Sequence, residues 1–306
     1  MTSRRARLLR PLAVLPAAAL LAACGSSGTG TGTDSTDAAS NVSVVAGFYP
    51  LEWAAAEVGG DRVSVSSLTA PGAEPHDLEL TPQQVAAVTD AGLVLYVGQF
   101  QPALDDAVAQ NPDKALDVAA GLDRLAPQPG EADAGYDPHV WLDPTNMAAI
   151  VATVAQRLSA ADPVGASTFT ANAAALTERL VALDARWKSG TATCASRDLV
   201  VSHEAFGYLA KRYGLAQVGI SGLSPDTEPS PAKLAEVADF IRANGVTTVY
   251  YETLVDPKVA QTVADETGAT TAVLDPLEGL AEGSSDDYIT VMERNLQRVK
   301  DGQACT

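Results

Sequence analysis

The 306-residue chain has three histidines, and each lies where a β-like run gives way to a loop. His76 follows VSVSSLTA in the stretch AEPHDLEL, His139 lies in YDPHVWLDP, and His203 closes VVSH just ahead of EAFGYLAKRYG. Asp275, at the end of TTAVLDP, holds the equivalent position on a later run. A neutral imidazole offers a lone pair above a pKa of about 6.5. Three such groups and one carboxylate suit a first-row divalent cation, and zinc takes four ligands of this kind tetrahedrally. Each residue singly also fits a plainer role, since Asp before Pro commonly caps or turns a chain.

Ligands that meet in space need elements to carry them. From residue 43 onward short β-branched runs alternate with helical patterns: VSVVAGFY, VSVSSLTA, GLVLYVG and ALDVA read as strands, with LEWAAAEVGG and TPQQVAAVTDA as helices between them. After Asp143-Pro144 two helical stretches follow, 145 to about 160 and 164 to about 188, parted by Asp162-Pro163. The second would be about 37 Å long at 1.5 Å per residue, enough to act as a rigid spine. A second series then begins, with strands DLVVSH, AQVGI, TTVYYE and TTAVLDP, and with EAFGYLAKRYG, SPAKLAEVADFIRANG and PKVAQTVADETG as helices ending on Gly. The expected fold is α/β: two βα lobes with mostly parallel sheets, 42–143 and 191–306, joined by a helical linker, 144–190, that contains the spine. Ligands of such sheets bind beyond the carboxyl ends of strands, where all three histidines fall.

The first 23 residues do not belong to this pattern. Arg4, Arg5, Arg7 and Arg10 precede an apolar stretch of signal-peptide length that ends in Leu21-Ala22-Ala23-Cys24-Gly25. The sequence resembles a bacterial lipoprotein signal, which implies cleavage before Cys24 and a lipid on that cysteine. Residues 24–41 then form a Gly, Ser and Thr rich tether with an end-to-end reach of roughly 20 to 25 Å. The body would thus be extracytoplasmic, held to the cell membrane by its N-terminal lipid. In that compartment Cys194 and Cys305 are either a disulfide or two free thiols, and spacing alone does not decide between them. With 38 acidic against 20 basic residues and a net charge of -18, the chain is not built to neutralise nucleic-acid phosphates.

The ordered set PHDLELTPQQ, DPHVWLDP, a long helix carrying Asn172, SHEAFGYLAKRYGL, SPAKLAEVADFIRANGV, VYYET and VLDPL resembles the cluster A-I metal-binding proteins of ABC transporters, the ZnuA and TroA-like family. The likeness covers about residues 43 to 301. It implies a divalent metal held in the cleft between two lobes, with His76 and His139 supplied by the first lobe and His203 and Asp275 by the second. A histidine in the third position tilts the expected cargo toward Zn2+, with Mn2+ or a mixed preference as the alternative. The family's His-rich loop has no counterpart here, for APQPGEADAGYDP holds acids and no histidine. Metal-bound imidazoles are oriented through their other nitrogen, and Glu74, Asp77, Asp137, Asp143 and Glu204 neighbour the expected ligands.

What the resemblance implies about action is capture of the metal by a monomer and delivery to an ABC permease driven by a cytoplasmic ATPase. Some surface-anchored relatives are described as adhesins, which is a second expectation. An enzyme is not expected. Catalytic zinc keeps one position open for water, HExxH is absent, and neither GxSxG nor a P-loop pattern occurs.

Overall fold

The computed structural model describes residues 41–127 and 135–306. The expected leader, Cys24 and residues 24–40 of the tether lie outside the described residues, as does the centre of the acidic loop before Tyr136.

The first lobe is built from β1 (Val42–Ala46), β2 (Val63–Ser67), β3 (Leu93–Tyr96) and β4 (Ala115–Asp117), joined by α1 (Tyr49–Gly59), α2 (Pro82–Asp90) and α3 (Pro102–Val108). All neighbours pair in parallel, in the order β2-β1-β3-β4. After α4 (Pro144–Ala161) and α5 (Ala166–Gly190), the second lobe repeats the plan. It has β5 (Asp198–Val201), α6 (Gly207–Tyr213), β6 (Ala216–Gly219), α7 (Pro231–Asn244), β7 (Thr248–Tyr251), α8 (Lys258–Thr267) and β8 (Thr270–Val273). Its strands are parallel in the order β6-β5-β7-β8, and α9 (Tyr288–Gly302) follows. In both sheets the chain reverses its direction of winding beside the first strand, which places a crevice at the carboxyl ends.

Side-chain alternation decides what each sheet packs against. Val44, Ala46, Leu93 and Leu95 of the first sheet, and Leu199 and Val201 of the second, all enter one core that also takes in α4, α5 and α9. The residues between them face outward. Val45 and Val94 pack with Val88 of α2 and Leu104 of α3, and Val200 and Val249 pack with Ile241 of α7 and Val263 of α8. The two lobes therefore share one inner core and each has a smaller outer one.

Sequence determines where the helices start and stop. Thr81 and Gln84 form a capping box on α2, Asp143 caps α4, and Ser230 caps α7, each with Pro at the first helical turn. Gly245 and Gly268 close α7 and α8 at φ +65° and +77°, where a Cβ would be strained.

The spine is α5. It buries Phe169, Ala173, Leu176, Leu180, Leu183 and Trp187 at alternating steps of four and three, a helical stripe. Its first half meets the first lobe, where Asn172 Nδ2 donates to Val58 O at 3.0 Å and Arg179 pairs with Glu57 at 2.6 Å. Its second half meets the second lobe. There Asp184 accepts from Arg212 Nε and Tyr213 Oη at 3.0 and 3.2 Å, and Trp187 stacks on Tyr213. Cys194, just past the spine, is disulfide-bonded to Cys305, just past α9, so the two open alternatives for these cysteines resolve as a pair.

Every apolar run read as a strand is present, and most outlast their strands at the carboxyl end. Beyond the last paired residues Phe48, Val97 and Val118 are buried in the shared core, and His203 and Glu252 are buried against each other. Helices α3 and α9 were not expected from the sequence.

Candidate metal centre

His76 lies on the long connection after β2. Buried Gln101 staples that connection to the end of β1: its Nε2 donates to Pro75 O and to Thr69 Oγ1, both at 3.1 Å, and to Gly47 O at 3.3 Å. Glu74 Oε2 accepts the His76 backbone N–H at 3.0 Å, and the ring stands edge-on to Phe100 with centroids 4.5 Å apart. His139 lies on the short segment leading into α4, where Asp137 Oδ1 accepts both its backbone N–H at 3.0 Å and its Nδ1 at 2.8 Å. His203 follows β5, and its Nδ1 meets Glu252 Oε1 at 2.6 Å. The same oxygen accepts from Ser202 Oγ.

The three imidazoles converge, and the carboxylate among them is Glu278. Its Oε1 is 3.2 Å from His139 Nε2 and 3.4 Å from the Nε2 of both His203 and His76. His203 Nε2 is 3.3 Å from His139 Nε2. One donor atom from each of the four lies within 4.8 Å of the others, and among the described residues this is the only such group able to hold a metal. His139 and His203 are fully buried, Glu278 nearly so, and only His76 keeps an edge toward solvent.

Asp275, expected as the fourth ligand, does not join this group. Its Oδ1 accepts Leu277 N–H at 2.8 Å and its Oδ2 accepts Thr253 Oγ1 at 3.2 Å. The chain turns sharply after it, and it is Glu278, three residues on, that reaches the imidazoles.

Of the neighbouring acids, Asp137 orients His139 directly and Glu74 holds the His76 backbone. Asp143 caps α4 at Thr145 N–H, 2.7 Å away, and Asp77 is exposed. Glu204 is buried and lines a cavity of about 270 Å³ with Asp137 and Lys211. Glu252, the partner of His203, was missed by the sequence reading; its signal is that it immediately follows β7 in VYYET, as Asp275 closely follows β8. Trp141, fully buried, packs against the His139 ring with centroids 5.2 Å apart, and Phe206 lies in the same core.

The electrostatics follow from this geometry. With Nδ1–H of His139 and His203 donated to Asp137 and Glu252, each Nε2 carries an inward lone pair. Two lone pairs and a carboxylate oxygen about 3.3 Å apart repel one another unless a positive charge lies between them. Four ligands at about 2.0 to 2.1 Å from a tetrahedral ion stand about 3.3 to 3.4 Å apart, close to the separations of Glu278 from the three imidazoles and of His139 from His203. Protons are the competing cations. Burial opposes charge on His203 and His139, but Glu252 and Glu278 hold His203 well above the ordinary histidine range, and Asp137 and Glu278 raise His139. Burial likewise opposes the Glu278 carboxylate, yet the imidazoles hold it well below the usual range. For His76 burial wins and its pKa is lowered. Burial and nearby Glu278 push Glu74 up to about 8.

The sequence pattern of the family described as "Zinc-uptake complex component A periplasmic", ZnuA, matches residues 44–302. The chain belongs to the ZnuA family. It is 34% identical over 299 residues to the high-affinity zinc uptake system protein ZnuA of Bacillus subtilis, covering 92% of this chain and 93% of that one. It is 37% identical over 278 residues to the zinc-binding lipoprotein AdcA of Streptococcus pneumoniae, covering 85% of this chain but 55% of AdcA, so it spans about half the length of that relative. The structure superposes on the Zn(II)-bound ZnuA-like domain of the same AdcA with a TM-score of 0.75 at 35% identity, over 86% of this chain and 99% of that one. It superposes on the laminin-binding protein Lmb of Streptococcus agalactiae, described as having adhesin and metal transporting activity, with a TM-score of 0.79 at 32% identity, over 86% and 100% of the chains. Among the described residues no helix is long and apolar enough to cross a membrane.

Proposed function

We propose that this member of the ZnuA family captures one Zn2+ ion between its lobes, with His76, His139, His203 and Glu278 as ligands, and delivers it to an ABC permease driven by a cytoplasmic ATPase. The observation that carries the reading is the convergence of four donor atoms within 4.8 Å of one another, four of their separations falling at 3.2 to 3.4 Å, with the tautomers of His139 and His203 fixed by carboxylates. Three imidazoles favour zinc over manganese, which prefers oxygen ligands. The protein acts as a monomer at the outer face of the membrane, anchored by a lipid on Cys24 through the tether 24–41. Its role is transport rather than catalysis, because the four protein ligands leave no position for an activated water.

The test is a chelator-competition titration with zinc and manganese in parallel and metal content checked by mass spectrometry. One tight zinc equivalent with much weaker manganese is expected. Comparable affinities would make it a mixed receptor, and no tight site would overturn the reading. The likeness to Lmb supports a second reading as an adhesin. Binding to immobilised laminin that survives alanine at all four ligands would favour adhesion independent of metal.

A further inference from the structure

The segment after β8 delivers the only carboxylate of the site, and it does so through a turn that its own sequence disfavours. Leu277 has φ +58°, in the left-handed region that a branched side chain rarely adopts, and it is completely buried. Something outside the residue must hold it there. Asp275 Oδ1 accepts the Leu277 N–H at 2.8 Å, closing the turn, while its Oδ2 is fixed by Thr253 Oγ1. The backbone of Asp275 is clamped in turn: its N–H donates to Asn295 Oδ1 at 3.0 Å and its carbonyl accepts from Asn295 Nδ2 at 2.7 Å. Asn295 is 1% exposed and lies on the inner stripe of α9, where an apolar side chain would otherwise pack. Trp141 Nε1 donates to Pro276 O at 2.7 Å, so Asp275 and Pro276 are each held by a hydrogen bond from elsewhere in the fold and Leu277 by Asp275.

We infer that Asp275 and Asn295 are positioning residues that hold the Leu277 turn and thereby aim Glu278 at the three imidazoles. The inference rests on the reading of Glu278 as the fourth ligand. Without the Asp275 Oδ1 acceptor, Leu277 relaxes toward negative φ and Glu278 swings off the Nε2 atoms. The metal then keeps three imidazoles and takes water in the fourth position. A buried, fully paired Asp and Asn at this place thus act on the metal through Glu278 rather than by touching it.

The experiment compares Asp275→Asn, Asp275→Ala, Asn295→Ala, Glu278→Gln and the double variant Asp275→Ala/Glu278→Gln. Each is read by zinc affinity in chelator competition, by the visible absorption of bound Co2+ and by thermal unfolding. Asp275→Asn keeps an oxygen for Leu277 N–H and can donate to Thr253 Oγ1, so its affinity should stay within about threefold of the parent. Asp275→Ala and Asn295→Ala should each weaken zinc by about 10 to 100-fold and shift the Co2+ spectrum as Glu278→Gln does. The double variant should be no weaker than Glu278→Gln alone, because both act through one ligand. If Asp275→Asn is as weak as Asp275→Ala, the carboxylate itself is needed and the inference falls. If the alanine variants lose only thermal stability, with affinity and spectrum unchanged, the turn is mere framework and the inference falls while Glu278 stands. Parent-like affinity in Glu278→Gln would instead overturn the fourth-ligand reading and the inference with it.

Discussion

His203 shows how one residue's surroundings set the terms of binding. Glu252 and Glu278 raise its pKa well above the ordinary value of about 6.5 in the metal-free site, although burial works against the charge. A raised pKa means that a proton competes for the site to higher pH than on a free imidazole, so zinc affinity should keep rising as pH climbs beyond 6.5. Glu252→Gln removes one of the two raising carboxylates. It should move the fall in affinity to lower pH while weakening zinc by about 10 to 100-fold at pH 8, because the imidazole loses its orienting acceptor. Titrations from pH 6 to 8.5 check both effects, and an unchanged pH profile would contradict this role. At this scale the sequence disclosed the three histidines, because residues just beyond parallel strands face the crevice. The carboxylate beside them, Glu278, was not legible. Asp275 lies closer to the end of the apolar run than Glu278 does, and nothing in the string VLDPLEGL says that Leu277 adopts a left-handed turn that carries the next residue into the cleft.

Among the elements, α5 does the most to fix the geometry, since its two halves pack against different lobes. Trp187 is completely buried at its second-lobe end and stacks on Tyr213 with ring centroids 5.2 Å apart. Trp187→Ala should therefore destabilise the protein by about 3 to 5 kcal/mol, the usual cost of emptying a large buried site, as measured by urea unfolding. A loss under about 1 kcal/mol would mean that the spine is not anchored there. The strands and the spine were legible because β-branched runs and a long 3.6-residue stripe survive in any context. Of the two unexpected helices, α3 has seven residues, too few to display a period. Helix α9 does carry a stripe, Tyr288, Val291, Met292, Leu296 and Val299, which the sequence reading passed over, with Asn295 interrupting it. That interruption has a reason only the fold supplies, the grip on Asp275.

Across the whole molecule, one inner core and the last helix limit how far the lobes can move apart. Tyr288 of α9 stacks on Trp53 of α1 at 4.8 Å and donates to Trp141 O at 2.6 Å, tying the last helix to the first lobe. Small-angle scattering with and without zinc should thus give nearly the same radius of gyration; a change of several ångströms would contradict a shared core. The Cys194–Cys305 bond closes a span of 111 residues, and its reduction should lower stability by about 2 to 4 kcal/mol in thermal or denaturant unfolding. Zinc affinity should hardly change, since Cys194 precedes the amino end of β5 whereas His203 follows its carboxyl end. The pairing needed the fold, because only the antiparallel bridge between the chain after α5 and the chain after α9 brings the two cysteines together. The central claim concerns what this rigid frame encloses, and zinc K-edge X-ray absorption on protein loaded with one equivalent tests it most directly. Three imidazole nitrogens and one oxygen at about 2.0 to 2.1 Å are expected, with the oxygen shell altered in Glu278→Gln. A shell with fewer than three imidazoles, or one that Glu278→Gln leaves untouched, would contradict the account.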